Sequence, residues 1–121
     1  MKPNPAAADV IVNIDSVMEK KLDALAVMES QFLEGGANGN EKLAGTTPES
    51  RKHRAEQIRQ NFSARYRGVA ERYRKELADW YGKEAVDKTK FAEAFEICEY
   101  GRNPTKEELA KLFPFFDTKN P

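Results

Sequence analysis

The chain has 121 residues, of which 40% are hydrophobic and 33% are charged, and its formal net charge at pH 7 is zero. These values indicate one soluble, helix-rich domain or part of one. No apolar run approaches the roughly 18 residues that span a membrane. A single cysteine, Cys98, excludes an internal disulfide and a cysteine-clustered zinc site. The first eight residues lack the apolar segment of a signal peptide, so we expect a cytoplasmic location.

The first predicted element is a strand at residues 8–14. It contains a nearly continuous run of β-branched residues, Val10, Ile11, Val12 and Ile14. Such a run is typical of a strand that is covered on both faces and therefore has neighbouring strands. The rest of the chain offers one weak candidate neighbour. The sequence therefore predicts the last strand of a sheet whose other strands lie outside this chain.

A helix is predicted at residues 16–33, where the apolar period changes. Asp15 or Ser16 can cap its first turn. One face carries Met18, Leu22, Leu25 and Phe32. A loop rich in Gly and Asn follows at residues 34–46, and it lacks the Gly-Lys-Ser/Thr ending of a phosphate-binding loop.

A long helix is predicted at residues 48–81. Thr47 can cap it, Pro48 suits its first turn, and Gly82 suits its end. The apolar positions form one stripe: Ile58, Phe62, Tyr66, Val69, Tyr73, Leu77, Trp80 and Tyr81. At a rise of ~1.5 Å per residue the helix is about 50 Å long. Gly68 near its middle allows either a bend or a close contact with the first helix.

Shorter elements complete the chain. Residues 83–89 form a linker with some helical character. Residues 91–100 suit either a short strand or a helix, and we predict an extended segment from their alternation. Thr105 and Glu108 form a capping box that opens a helix at residues 105–112. The aromatic cluster after it is expected to pack onto its own domain, with a docking patch as the alternative; its members are Phe113, Phe115 and Phe116.

Two stretches carry recognisable motifs. They are NIDSVMEKKLDALAVMESQF, from Asn13 to Phe32, and FAEAFEICEYGR, from Phe91 to Arg102. They resemble the C-terminal part of the PIG-L/LmbE-like family of zinc-dependent N-acetyl-sugar deacetylases. That family has a final strand (V/I)VDI, a helix with K(L)xALxxHxSQ, and a (Y/F)AEAF tail. The matching residues of the first stretch, counted from the preceding valine, are Val12, Asn13, Ile14, Asp15, Lys21, Leu22, Ala24, Leu25, Ser30 and Gln31. The opening Lys2-Pro3-Asn4-Pro5, followed by Ala8-Asp9-Val10, resembles the family's Pro-rich lead-in.

The chain departs from the family at its chemistry. Met28 and Asn13 stand where many members have His and Asp. The family's metal-binding motifs, His-Pro-Asp-Asp and His-x-Asp-His, are absent, and His53 is the only histidine. The resemblance therefore implies the C-terminal portion of a deacetylase. It implies no catalytic residue and no metal or other cofactor in this chain, the zinc belonging to the full-length family.

The resemblance also completes the expected fold. It is mainly α with one or two short strands, and its helical hairpin (16–33 and 48–81) is appended to an edge of a missing α/β Rossmann-like sheet. Residues 1–121 would form a single C-terminal segment. Ser30 and Gln31 are the only positions that the family motif marks as candidates for contact with the substrate cleft. The alternative is that Gln31 bonds the backbone beside the sheet.

Other reactive or charged residues favour ordinary roles. His53 lies among Arg51, Lys52 and Arg54 and has no partner histidine for a zinc site. Cys98 is flanked by carboxylates, which disfavour its thiolate. The helix from Arg51 onward is basic, but its aromatics lie on the buried stripe, which disfavours nucleic-acid binding.

Three hypotheses follow. The first is the non-catalytic C-terminal part of a deacetylase, inactive alone, whose partner is the missing catalytic domain, another chain or a second copy of itself. The second is a self-sufficient helical-hairpin module that binds a protein. The third is a basic helix that binds nucleic acid with steep salt dependence. None involves a membrane.

Overall fold

The computed structural model describes residues 8–114 and 116. Its strands and helices are β1 (Val10–Asn13), α1 (Met18–Ala26), α2 (Glu29–Phe32), α3 (Pro48–Arg72), α4 (Arg74–Tyr81), α5 (Lys83–Lys88), β2 (Ala92–Phe95) and α6 (Lys106–Leu112). The predicted class, mainly α with short strands, is confirmed. Residues 2–5 of the family-like lead-in and Phe115 lie outside the described residues. None of the helices in the described part combines the length and the apolar character that a membrane crossing requires.

The two strands form an antiparallel pair. Val10 lies opposite Phe95, and Asn13 lies opposite Ala92. Since successive side chains of a strand point to opposite faces, Val10 and Val12 share one face of the sheet and Ile11 takes the other. Helices α3 and α4 pack against β2 and β1 respectively.

Strand β1 contributes to two hydrophobic clusters. Cluster A contains the buried residues Val10, Val12, Ile14, Met18, Leu22, Leu109 and Phe116. Cluster B contains Ile11, Ala70, Tyr73, Leu77, Val86 and Ala92. The strand therefore lies between the two clusters and buries side chains on both of its faces. This explains why its apolar run is almost continuous.

The expectation that β1 depends on strands outside this chain for its cover is wrong. Val10 is 2% exposed, Ile11 0% and Ile14 3%. These fractions include the main chain, so the chain itself shelters both faces of the strand and the backbone at Ile11. Helix α4 packs against β1 and β2 pairs with it, while side chains of α1, α3 and α6 pack in or against cluster A on its other face.

The first helix is shorter than the predicted 16–33. A 3-10 turn at Asp15–Val17 precedes α1, and Met28 leaves the helical conformation with ψ of 65°. After this break the Phe32 ring meets the Phe62 ring of α3 edge to face, 5.1 Å between centroids. Packing against α3 thus redirects the chain at a point where the apolar period continues, and helical pattern alone does not mark such a break.

The long helix keeps its predicted limits but is interrupted once. Tyr73, with φ of −108° and ψ of 33°, separates α3 from α4. The interruption is five residues beyond Gly68, whose added Cβ would meet nothing within 4 Å. Helix α3 therefore continues through Gly68, and the alternative of a close contact with the first helix there is wrong. The contact between α1 and α3 confirms the predicted hairpin packing.

The C-terminal third differs in extent from its prediction. Residues 83–88 of the predicted linker are helix α5, and only Ala92–Phe95 of the extended segment 91–100 pairs as a strand. The predicted capping box of Thr105 and Glu108 opens α6. Phe116 stacks on Trp80 at 4.4 Å between ring centroids, so this aromatic residue does pack onto its own domain.

Candidate functional site

The family-like residues from distant parts of the sequence meet at one end of the sheet. The Asp15 carboxylate accepts hydrogen bonds from the main-chain N–H groups of Lys90, at 3.0 Å, and Phe91, at 2.7 Å. These two amides lead directly into β2. The last residue of the (V/I)VDI-like motif therefore fixes the start of the AEAF-like motif, 75 residues later in the chain.

A second link joins α1 to β2. The Lys21 ammonium lies 2.5 Å from a carboxylate oxygen of Glu93, and both side chains are 28% exposed. The ammonium also lies 4.8 Å from the centre of the Tyr66 ring. Partial burial alone would lower the pKa of Lys21, but the hydrogen bond and charge of Glu93, with a smaller effect of Tyr66, raise it above its usual value. Lys21 therefore stays charged and is not an amine nucleophile at neutral pH.

Asn13 is held by three hydrogen bonds. Its Oδ1 accepts from the N–H of Asp15 at 2.9 Å, and its Nδ2 donates to Thr89 Oγ1 at 3.0 Å. Its own N–H donates to the Tyr81 hydroxyl at 3.0 Å. Burial raises the pKa of Tyr81, an effect that the Asn13 hydrogen bond partly opposes. The hydroxyl therefore stays neutral at physiological pH.

The same contacts favour asparagine over aspartate at position 13. The Thr89 hydroxyl donates its proton to the carbonyl of Ala85 at 2.9 Å, so it can only accept from residue 13. The amide of Asn13 supplies a donor, whereas an ionised aspartate has none. Thr89 is 3% exposed, so water does not easily replace that donor.

The two residues chosen from the family motif do not join this cluster of contacts. Ser30 and Gln31 lie on the four-residue helix α2 and are exposed. The main-chain N–H of Gln31 donates to the carbonyl of Met28. The alternative role of Gln31, a side-chain bond to backbone beside the sheet, has no counterpart among the hydrogen bonds of residues 8–114 and 116.

Two arginines of the basic helix form ion pairs with carboxylates of the chain itself. Arg51 pairs with Glu29 and Glu34, and Arg59 pairs with Glu19 and Asp23. Each pair joins α3 to the segment that contains α1 and α2. The arginines in the first half of α3 therefore serve the hairpin, which leaves them less available to phosphates of a nucleic acid.

The lone histidine and cysteine are both at the surface. His53 is exposed on α3, and Cys98 is exposed after β2. Within the described ranges, no group of three His, Cys, Asp or Glu side chains is placed to hold a metal ion.

The sequence did not predict the hydrogen bonds that aspartate side chains make at the two ends of the strand pair. The Asp9 carboxylate accepts from the N–H of Ile97 at 2.6 Å, and Asp15 does the same at the other end of the strand pair. The sequence does contain a sign of these contacts, because an aspartate flanks the apolar run on each side. The amides that the two aspartates bind could be identified only once the partner strand was known.

Comparison with known proteins adds no relative. No family model matches the chain, and searches of curated proteins and of solved structures found no match either.

Proposed function

We propose that this chain is a self-contained accessory module that acts by binding another protein and performs no catalysis itself. The burial of β1 within the chain carries this proposal, because a strand sheltered on both faces belongs to a unit that folds without external strands. The proposal keeps the cytoplasmic location expected from the sequence.

An apolar surface at the end of the sheet supports the binding role. We call Phe95, Phe113 and Leu112, the residue that precedes Phe113 in the chain, the Phe95 patch. Phe95 is 44% exposed and Leu112 69% exposed, and the Phe95 and Phe113 ring centres are 6.2 Å apart. Grouped exposed apolar side chains are more typical of interaction sites than of an inert surface.

The first test concerns the fold. We expect the purified chain to run as a compact species in size-exclusion chromatography. Its amides at residues 10–14 should exchange hydrogen slowly, because they open only with the whole unit. A swollen chain with unprotected amides in this segment would disprove the proposal.

The second test concerns the surface. A photo-crosslinking residue at position 112 should capture a partner in cells, and the same residue at position 27 should not. Val27 is a matched control because it is apolar and 79% exposed but lies between α1 and α2. Equal capture at both positions would count against the Phe95 patch.

A second candidate function concerns the identity of that partner. The PIG-L/LmbE-like hypothesis is supported by the contacts between its motifs: Asp15 binds the start of the AEAF segment, and Lys21 pairs with Glu93 within it. Under this hypothesis the module supports the catalytic domain of a zinc-dependent deacetylase, in the same polypeptide or in another chain. In the family reaction a zinc-bound water attacks the amide carbonyl, and no residue of this chain takes part in that step.

This candidate has its own experiment. The chain should show no deacetylase activity alone with zinc, and it should raise the activity or stability of a co-expressed PIG-L/LmbE-like catalytic domain. The double variant Lys21→Met/Glu93→Met should bind that domain less well than the wild type. Activity of this chain by itself would overturn the assignment of a purely supporting role.

A further inference from the structure

A polar cavity lies between the α3–α4 junction and the segment before β2. It has a volume of about 380 Å³ and is lined by Arg67, Glu71, Arg74, Asp87, Thr89 and Lys90. Three cationic side chains therefore meet two carboxylates in one concave site. This site uses neither the Lys21–Glu93 pair nor the Phe95 patch.

The three cations differ from Arg51 and Arg59, the two arginines of α3 that pair with carboxylates. Arg51 and Arg59 are neutralised by carboxylates of the α1–α2 segment. In contrast, within residues 8–114 and 116 no carboxylate lies within 4.0 Å of the charged groups of Arg67, Arg74 or Lys90. The cavity thus contains positive charge that its own carboxylates do not pair with directly.

Two of these cations are held in place by other contacts. The guanidinium of Arg74 donates to the carbonyl of Val86 at 3.0 Å. The guanidinium of Arg67 lies over the Phe91 ring, 5.5 Å from its centre. Arg67 and Arg74 are both exposed, and one hydrogen bond and one cation–π contact leave most of the five N–H donors of each group available to a ligand.

From this arrangement we infer that the cavity binds a small phosphate monoester that carries hydroxyl groups. Guanidinium groups match phosphate oxygens with paired N–H donors, and Lys90 adds a third positive charge. The carboxylates of Glu71 and Asp87 repel a bare anion but accept hydrogen bonds from hydroxyls. The volume exceeds that of one phosphate group and leaves room for a short polyol. This role is separate from the proposed protein-binding function.

Calorimetric titration of the full chain at constant ionic strength tests the inference, with inorganic phosphate and glycerol 3-phosphate as probes. We expect saturable binding of both and several-fold tighter binding of glycerol 3-phosphate. Lys90→Gln should weaken binding roughly tenfold, the effect of losing one charge-assisted hydrogen bond. Lys88→Gln is the matched control, because Lys88 is exposed nearby on α5 and does not line the cavity.

A second variant addresses the arginines. Arg67→Gln/Arg74→Gln should abolish binding, with circular dichroism used to verify the fold, and Glu71→Gln should remove the preference for glycerol 3-phosphate. Absence of saturable binding, or equal weakening by the Lys90 and Lys88 variants, would overturn the site. Equal affinity of the wild type for the two probes would overturn the hydroxyl requirement.

Discussion

The side chain of Asn13 shows how one residue type is selected by the hydrogen-bonding state of its neighbour. Thr89 uses its only proton on the Ala85 carbonyl and needs a donor from residue 13. By resemblance to a motif alone, Asn13 was an unexplained departure. The structure gives that departure a local physical reason that is independent of catalysis.

This reason predicts the effect of an aspartate at position 13. Asn13→Asp should lower the free energy of unfolding at pH 7 by about 1–3 kcal/mol, because it removes the donor and places a charge beside the buried Thr89 hydroxyl. Urea denaturation measures this loss. The exposed control Asn38→Asp should change stability by less than about 0.5 kcal/mol. Equal stability of Asn13→Asp and the wild type would contradict the assigned hydrogen bond.

Lys21 and Tyr81 together predict an alkaline limit to stability. Both pKa values are raised in the folded chain above their usual values of 10.5 and 10.0. Each group therefore binds its proton more tightly when folded, and its contribution is complete below pH 10 and is lost as the pH rises further. Thermal unfolding between pH 8 and pH 11 should show this decline.

The variants for that experiment separate specific from general effects. Lys21→Met/Tyr81→Phe should flatten the alkaline decline, whereas Tyr100→Phe, at an 84% exposed position, should leave it unchanged. An alkaline profile that is the same in all three proteins would rule out Lys21 and Tyr81 as its cause.

At the scale of elements, capping residues determine where the helices begin, and tertiary packing determines where they are interrupted. Thr47 and Ser50 form a reciprocal capping box at the start of α3, and Thr105 and Glu108 do so at α6. These starts were predictable because capping is a local property of a few residues. The break at Tyr73 was not predictable, because Tyr73 lies on the continuous apolar stripe and its conformation places it in cluster B.

Replacement by alanine is expected to have opposite effects on stability at two glycines in this region. Gly68→Ala should stabilise the fold by about 0.5–1 kcal/mol, because the site is helical and an added Cβ meets nothing within 4 Å. Gly82→Ala should destabilise it by about 1–3 kcal/mol, because φ of 86° with ψ of 159° is a region essentially reserved for glycine. Urea denaturation of the two variants, each the control for the other, measures both signs. Loss of stability in both would show that Gly68 has a packing role.

At the scale of the whole molecule, β1 couples the two hydrophobic clusters. Its alternate side chains enter cluster A and cluster B, so neither cluster is complete when the strand detaches. We therefore expect the chain to unfold in one cooperative transition.

Substitutions on the two faces of β1 test this coupling. Ile11→Ala should lower the free energy of unfolding by about 2–5 kcal/mol. It should shift the unfolding curves from Trp80 fluorescence and far-UV circular dichroism equally, although Trp80 packs against cluster A. Val17→Ala, at a 46% exposed position, should change little. A Trp80 transition that is unaffected by Ile11→Ala would show that the clusters are independent.

The amino-acid sequence by itself determined the mainly helical class, the strand near Val10, the outer limits of the long helix, its Thr47 cap and the capping box of α6. These depend on apolar period and local capping, which a short window of sequence contains. Only the tertiary structure decided what covers β1, where the helices break, and which carboxylates bind the amides on either side of β2. Those contacts join residues up to 88 positions apart, as Asp9 and Ile97 show, and no local pattern specifies such a pairing.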